Sequence, residues 1–257
     1  MNKGHIFKMD TSIQAPTQIV FDADDYLTRH FTGPLAETNT VLMRFHASLY
    51  QQIRPTSLLE FGGGPTIYAI ISTVQSVESI HFVDYSPSCR AALQKWKTNS
   101  PGAFDWKPYI RYSLEAETGT SPTDDDVLRR EALLRERIHT ISSCDAWAQE
   151  PLQGKSFAPY DAIASNFCLE GITNDKAKWL WLNENITRGF EKGTYYIITC
   201  LWGVTSYVHD GTTHSSLRLE PEDLESLYSR LNYKLLRLEK AQLRSDYGYL
   251  MACGQKL

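Results

Sequence analysis

Three consecutive glycines at positions 62–64 follow the apolar run 58–61, which contains one acid, Glu60. Glycines let the backbone turn sharply and approach a ligand closely, because they carry no side chain that would collide with it. A second apolar run, 80–83, ends in Asp84 about twenty residues further on, where an acid is suited to accept hydrogen bonds from ribose hydroxyls. The two strand ends therefore predict a nucleotide-cofactor site at one edge of an α/β sheet.

The order of acid and glycines distinguishes between classes of cofactor. The loop lacks the Gly-x-Gly-x-x-Gly spacing of dinucleotide enzymes. Glu60, just before the glycines, would repel a pyrophosphate but suits S-adenosylmethionine, which carries a sulfonium and an ammonium group. Two other interpretations stay open: an oxidoreductase with a nicotinamide cofactor, and a glycine-rich turn that binds no ligand.

Composition bounds the remaining possibilities. The 257 residues are 42% hydrophobic and 22% charged, which is enough for one large α/β domain over 1–257. The net charge of −4 and the pI near 6.0 argue against a nucleic-acid binder. Five cysteines without a Cys-x-x-Cys pair indicate neither a disulfide framework nor a zinc site. We therefore expect a soluble, cytoplasmic monomer with no metal, no membrane segment and a small-molecule substrate.

Strands and helices alternate from residue 56 onward, after an N-terminal helical cap over 1–55. Residues 101–136 interrupt the alternation and predict a surface insertion that ends in a charged helix. The chain closes on two strands with no helix between them. This order predicts a doubly wound, mostly parallel, seven-stranded Rossmann-like sheet with one antiparallel strand near the edge.

The residues after Asp84 predict a helix. Ser86 can serve as its N-cap with Pro87 at the first helical position, and Leu93 and Trp96 fall on one face at helical spacing.

Several stretches together resemble a known family. They are 62–68 (GGGPTIY), 84–86 (DYS), 93–96 with 101–106, 144–145 and 168–170 (CLE). In them the chain resembles class I S-adenosylmethionine-dependent methyltransferases of the group that contains nicotinamide, phenylethanolamine, indolethylamine and thioether methyltransferases. The resemblance implies the methyltransferase fold and transfer of a methyl group to a small molecule, with nitrogen of an amine or N-heterocycle as the expected acceptor.

The resemblance also implies a set of cofactor-binding residues. They are Tyr26, Glu60, Gly62, Gly63, Gly64, Thr66, Tyr68, Asp84, Tyr85, Cys89, Asp145, Ala146, Asn166 and Phe167. By this resemblance Tyr26 lies at the methionine part, Asp84 at the ribose and Asp145 at the adenine edge. Asp145 has an alternative interpretation as a helix N-cap. Cys89 departs from the family, whose members more often carry a ribose-contacting asparagine there.

The expected catalytic residues are Glu170 and Tyr26, and the expected substrate-binding residues are Glu170, Cys200, Trp202, Tyr207 and Asp246. Methyl transfer is an in-line displacement, so positioning and desolvation can carry most of the acceleration. Glu170 follows the fourth strand, where it would orient a neutral amine or take its proton; the alternative is a surface glutamate at a helix start. Cys200 stands where the family carries an acid, which favours a flat or apolar acceptor.

Other acceptors remain as alternatives within the same fold. Sulfur, oxygen or carbon of a small metabolite could take the methyl group instead of nitrogen. The altered residues Cys89 and Cys200 also leave open a non-catalytic protein that binds the cofactor.

Overall fold

The computed structural model describes residues 21–154, 159–209 and 212–257. Its strands are β1 Ser57–Phe61, β2 Ser79–Asp84, β3 Ile138–Ser143, β4 Ala162–Asn166, β5 Tyr195–Trp202, β6 Ser206–His209, β7 Thr212–Ser215, β8 Tyr233–Arg244 and β9 Tyr247–Lys256. Its helices are α1 Ala23–Phe31, α2 Glu37–Ile53, α3 Pro87–Lys97, α4 Lys107–Thr118, α5 Asp124–Arg137, α6 Lys176–Thr187 and α7 Pro221–Arg230, with short 3-10 segments at Ile71–Gln75 and Leu169–Gly171.

Seven strands form one sheet in the order β3-β2-β1-β4-β5-β9-β8. The pairs among β1 to β5 are parallel, and β9 runs antiparallel to both β5 and β8. The predicted fold is therefore confirmed, including the single antiparallel strand next to the edge. The strands β6 and β7 form a separate two-stranded ribbon that the sequence did not predict.

Side chains alternate along each strand, so both faces of the sheet present apolar residues. Helices cover each face. On one face Leu58 and Ile197 pack in a cluster with helices α1 to α5. On the other face Leu59 and Ile198 pack in a cluster with α6 and α7. The parallel strands β1, β2, β4 and β5 are thus buried on both sides, as in a doubly wound sheet, whereas the edge strand β3 is partly exposed.

The N-terminal helices lie on the first of these faces. α1 begins after Asp22, whose carboxylate accepts the N–H of Asp25 at 3.0 Å, and it buries Leu27 and Phe31. The Ser88 hydroxyl on α3 donates to the carbonyl of Phe21, which ties the start of α1 to the helix beside the glycine loop.

Two connections differ from the sequence-based expectation. After the glycines the chain forms only the 3-10 segment Ile71–Gln75, since β-branched residues such as Ile70 and Thr73 favour helices weakly. Between β3 and β4 the described residues 144–154 and 159–161 contain no helix. The described residues of this third crossover therefore form turns and bends.

The segment 101–136, predicted as a surface insertion, contributes to the core. It forms α4 and the predicted charged helix α5, and α4 buries Tyr109 and Ile110. Arg44 on α2 donates to the hydroxyl of Tyr112 at 2.7 Å. The aromatic residues of this segment thus hold the N-terminal helices. Its charges are partly exposed and partly buried, since Glu117 and Glu131 form buried ion pairs with Arg130 and Arg135.

In the part of the chain that the structure covers, no helix has the length and apolarity required to cross a bilayer.

Candidate active site

The carboxyl ends of β1, β2, β4 and β5 meet at one edge of the sheet, which is where ligands bind in open α/β folds. The glycine loop follows β1, Asp84 ends β2, and Phe167 follows β4. Most of the predicted site residues lie at or beside these ends. Parallel pairing therefore brings together residues that are far apart in sequence.

The glycine loop packs tightly at its start and is open at its end. A Cβ added at Gly62 would lie 2.2 Å from the Cys168 sulfur, and one at Gly63 would lie 2.3 Å from the ring of Phe82. Gly64 has a φ of +64°, and no other atom lies within 4 Å of a Cβ built there. The backbone can thus be approached by a ligand at Gly64, while Gly62 and Gly63 are required for the close packing beneath.

Asp84 joins the loops that follow β1 and β2. Its Oδ2 accepts the N–H of Gly64 and its Oδ1 accepts the N–H of Ser86, each at 2.8 Å. Burial raises the pKa of Asp84, and these two hydrogen bonds act in the opposite direction. The Cys89 thiol also contacts this carboxylate, and the remaining lone pairs of the two oxygens can accept ligand hydroxyls.

Arg90, a residue that the sequence analysis missed, holds the next turn. Its guanidinium donates to the carbonyls of Asp84 at 2.7 Å and Tyr85 at 2.8 Å. The Tyr85 side chain is 54% exposed and therefore does not belong to the hydrophobic core. Its ring is accessible for stacking on a planar group. The sequence did not indicate this role, because an arginine in the first turn of a helix does not by itself predict a contact with a cofactor loop.

Cys89 lies directly beneath this turn, in the first turn of α3. The thiol is buried, and burial followed by the charge of Asp84 raises its pKa to about 12. The side chain therefore stays a neutral thiol beside the Asp84 carboxylate.

Glu60 and Asn166 form a buried pair beneath the glycine loop. The amide of Asn166 donates to Glu60 Oε1 at 3.0 Å, and Glu60 is 1% exposed. Glu60 Oε2 has no hydrogen-bond partner within the described ranges. Burial raises the pKa of Glu60 to about 8, against the lowering effect of the Asn166 hydrogen bond. A cation at this position would gain a buried, incompletely bonded carboxylate.

Aromatic rings line the space next to this pair. The ring of Phe31 lies 5.7 Å from that of Tyr26 and 5.3 Å from that of Tyr68. Phe167 lies 4.6 Å from Tyr249 on the antiparallel strand β9. Burial raises the pKa of Tyr68 well above its ordinary value. Tyr26, Tyr68 and Phe167 all pack against the core cluster that contains Phe31 and Tyr249.

Phe167 adopts a backbone conformation that favours glycine. Its φ is +52°, and its N–H donates to the carbonyl of Thr199 on β5 at 2.8 Å. Such a conformation costs about 1–3 kcal/mol and is concentrated at functional sites. The strain turns the Phe167 ring toward Tyr249 directly at the end of β4.

Asp145 and Ala146 follow the end of β3. Asp145 Oδ1 accepts the N–H of Trp147 at 2.9 Å, so the residue closes a turn rather than capping a helix. Thr66, also predicted from the resemblance, donates its hydroxyl to the carbonyl of Gly63 at 3.0 Å and supports the glycine loop.

Glu170 is buried and does not lie at a surface helix start. Its Oε1 accepts the N–H of Leu201 at 3.1 Å, and its carbonyl accepts the N–H of Leu217 at 2.9 Å. Its Oε2 has no hydrogen-bond partner in the described residues. Burial raises the pKa of Glu170 to about 7 despite the lowering effect of its backbone hydrogen bonds. This carboxyl can exchange a proton near neutral pH.

Cys200 and Trp202 face the α6 and α7 side of the sheet. Cys200 is fully buried, and burial followed by the charge of Glu170 raises its pKa well above the usual range. The indole N–H of Trp202 donates to Glu220 at 2.7 Å, and the ammonium of Lys240 lies 3.5 Å from the centre of its ring. Protein groups thus already occupy the hydrogen-bonding edge and one face of this tryptophan.

The two remaining predicted substrate residues lie in connections. The carbonyl of Asp246 packs against Gly203, where a Cβ would lie 2.2 Å away, so the turn between β8 and β9 adjoins the end of β5. Tyr207 pairs with His214 in the β6 and β7 ribbon, but its side chain lies outside the described part. Among the residues that the structure describes, no cluster of His, Cys, Asp or Glu is arranged to hold a metal ion.

Comparison with known proteins agrees with this geometry. The model of the NNMT/PNMT/TEMT family matches residues 12–255. Indolethylamine N-methyltransferase of Mus musculus is 30% identical over 237 residues, which cover 89% of this chain and 88% of the relative. Nicotinamide N-methyltransferase of Homo sapiens is 25% identical over 244 residues, covering 92% and 90%.

The fold is shared with solved methyltransferase structures. Magnesium protoporphyrin IX methyltransferase from Synechocystis PCC 6803 aligns with a TM-score of 0.57 at 9% identity, covering 91% of this chain and 94% of that one. Because the family model spans nearly the whole chain, the protein belongs to the NNMT/PNMT/TEMT family of S-adenosylmethionine-dependent methyltransferases.

Proposed function

We propose that this protein transfers a methyl group from S-adenosylmethionine to a nitrogen of a small amine or N-heterocycle. The observation that carries the proposal is the pair of buried acids Glu60 and Glu170, each with one oxygen that lacks a partner in the described residues. Both lie near the carboxyl edge of the sheet, Glu60 near the end of β1 and Glu170 in the 3-10 segment that follows β4. Two of the similar proteins are N-methyltransferases that act on nicotinamide and indolethylamine, by their names.

The residues at the strand ends fit the cofactor. Glu60 offers a buried carboxylate to a positive charge, and the opening at Gly64 admits a ligand against the backbone. Asp84 can accept ribose hydroxyls, Tyr85 can stack on adenine, and Asp145 can accept the adenine amino protons. When bound, S-adenosylmethionine supplies a methyl group made electrophilic by its positively charged sulfur.

Glu170 is the group that we assign to the acceptor. A nitrogen nucleophile must be neutral to present a lone pair, and a carboxyl with a pKa of about 7 can take its proton near neutral pH. The Leu201 N–H holds one oxygen of Glu170 in place. This hydrogen bond also fixes the direction in which the second oxygen points. Tyr26, on α1, would close the site from above and exclude water.

We also infer a cytoplasmic monomer that needs neither nucleic acid nor a membrane for activity. All five cysteines are free and four of them are buried, which supports a reducing compartment. Size-exclusion chromatography with light scattering tests the oligomeric state.

Calorimetric titration with S-adenosylmethionine, S-adenosylhomocysteine and NAD tests the cofactor, and a methyl-transfer assay on amines, N-heterocycles, thiols and phenols tests the acceptor. We expect micromolar binding of both sulfur ligands, no binding of NAD, and turnover on a nitrogen acceptor. Turnover only on a thiol or phenol would show that the acceptor atom is sulfur or oxygen and not nitrogen. Cofactor binding without turnover on any acceptor would indicate a non-catalytic protein.

A further inference from the structure

The loop over 144–154 carries Asp145 and Ala146 to the site without any regular secondary structure. Three backbone hydrogen bonds hold it internally: Asp145 N–H to the carbonyl of Pro151 at 2.8 Å, Ala148 N–H to that of Asp145 at 3.1 Å, and Gln153 N–H to that of Glu150 at 2.8 Å. A buried backbone carbonyl needs a donor, and a helix would normally supply one. This loop has to obtain its donors from elsewhere.

A single side chain on α6 supplies them. The Asn185 amide nitrogen lies 2.9 Å from the carbonyl oxygen of Ala146 and 2.7 Å from that of Ala148. Because carbonyl oxygens only accept, these two partners fix which end of the amide faces the loop. Asn185 is 1% exposed, and its own Oδ1 is without a partner in the described residues. Within the described residues, the Asn185 side chain thus makes only these two hydrogen bonds, both to the loop.

The same helix supports the loop through a ring contact. Trp181 on α6 stacks on Trp147, with ring centroids 6.1 Å apart and planes at 24°. Asp145 Oδ1 in turn accepts the N–H of Trp147 at 2.9 Å. The orientation of the Asp145 carboxylate therefore depends on the backbone at 146–148, which Asn185 bridges.

We propose that Asn185 is a positioning residue for adenine recognition: its bridge between the Ala146 and Ala148 carbonyls presets Asp145 to accept the adenine amino group. This inference rests on the proposed function, in which Asp145 lies at the adenine edge. Asn185 itself does not touch the cofactor. Without its two donors the loop would have to rearrange to satisfy the buried carbonyl of Ala146 and the half-buried carbonyl of Ala148, and the carboxylate would lose its alignment.

The test compares two ligands that differ at one group. S-adenosylhomocysteine carries the adenine amino group, and S-inosylhomocysteine carries an oxygen there, so their affinity ratio measures amino-group recognition. We expect the wild type to favour the adenosyl ligand by about tenfold or more, the scale of a hydrogen bond to a charged group. Asn185→Leu, similar in size but without donors, should bring the ratio to about one, and Asn185→Gln, which keeps both N–H groups, should restore part of it.

Asn183→Leu is the matched control. Asn183 is equally buried on α6, but it donates to the carbonyl of Trp179 at 2.7 Å and accepts from Tyr196 at 2.5 Å instead of contacting the loop. Its replacement should weaken both ligands together or neither, and leave their ratio unchanged. Asn185→Ala provides the same comparison should Asn185→Leu fail to fold.

The outcomes separate this inference from the function on which it rests. A wild type that binds neither ligand overturns the proposed function, and this inference with it. A wild type that discriminates between the ligands while the Asn185 variants retain the full ratio leaves the function standing and overturns the role of Asn185. Equal loss of affinity for both ligands in those variants also overturns it, because that is the result of a purely structural role.

Discussion

Asn166 donates its side-chain N–H to Glu60 at 3.0 Å, beneath the glycine loop, and this is the one hydrogen bond that the Glu60 carboxyl makes within the described residues. The second oxygen is buried without a partner. Burying an acid in this way costs stability unless a positive charge arrives. The pair is thus better suited to binding a cation than to holding the fold together.

Glu60→Gln should weaken binding of S-adenosylmethionine by about tenfold or more, because it removes the buried charge. The melting temperature of the ligand-free protein should stay level or rise, because a neutral amide is easier to bury than an acid. Calorimetry and thermal unfolding measure the two effects. Unchanged affinity in Glu60→Gln would remove Glu60 from the cofactor site.

The stability of the ligand-free protein should fall as the pH rises from about 4.5 to 8. Burial raises the pKa of Glu60 from its ordinary value of 4.5 to about 8. Between these values the folded state keeps a proton that the unfolded state releases, so a higher pH favours unfolding. Urea unfolding across this range measures the slope. Glu60→Gln should reduce the slope without abolishing it, because the raised pKa of Glu170 adds a contribution of the same sign; an equal slope in both proteins would contradict the assignment.

Asp84→Ala should weaken cofactor binding by about 1–3 kcal/mol, the scale for lost hydrogen bonds to a charged group. The substitution removes any ribose contact and also frees the N–H groups of Gly64 and Ser86. Asp84→Asn is the matched control, because its one carbonyl oxygen can still accept from one of these N–H groups. Titration with S-adenosylhomocysteine should rank the wild type first, Asp84→Asn second and Asp84→Ala last.

Glu170→Gln should lower turnover and leave cofactor affinity nearly unchanged. Burial raises the pKa of Glu170 to about 7, so the rate of the wild type should rise with pH as this carboxyl loses its proton near that value. The variant should lack this ionisation in its pH-rate profile. Full activity of Glu170→Gln on the true acceptor would show that the carboxyl handles no proton.

Trp202→Phe should change the acceptor KM by less than about twofold while lowering stability by about 1 kcal/mol, the scale of one lost hydrogen bond. The sequence favoured Trp202 as a substrate-binding residue. In the structure its N–H donates to Glu220, and the ammonium of Lys240 lies over one face of its ring. Steady-state kinetics and urea unfolding separate the two roles. A large rise in KM at unchanged stability would support the original expectation.

Local patterns predicted the mostly parallel seven-stranded sheet and the helix after Asp84, because caps and apolar spacing can be recognised in consecutive residues. Ser86 does cap α3, with Pro87 in its first turn. The contact of Phe167 with Tyr249 could not be predicted from the sequence, because it requires β9 to pair with β5 in a particular register. The bridge from Asn185 was missed for the same reason: its partners lie 37 and 39 residues away.

The strained backbone of Phe167 makes an unusual order of stabilities testable. Phe167→Ala removes the ring but keeps a side chain at a φ of +52°, whereas Phe167→Gly removes both the ring and the strain. Glycine is ordinarily the less stable replacement, but at this φ it should be the more stable one by about 1 kcal/mol. Both variants should lose acceptor turnover, since both remove the ring beside Tyr249. Urea unfolding of the pair measures the difference, and an alanine variant as stable as the glycine variant would show that the backbone at this strand end is unstrained.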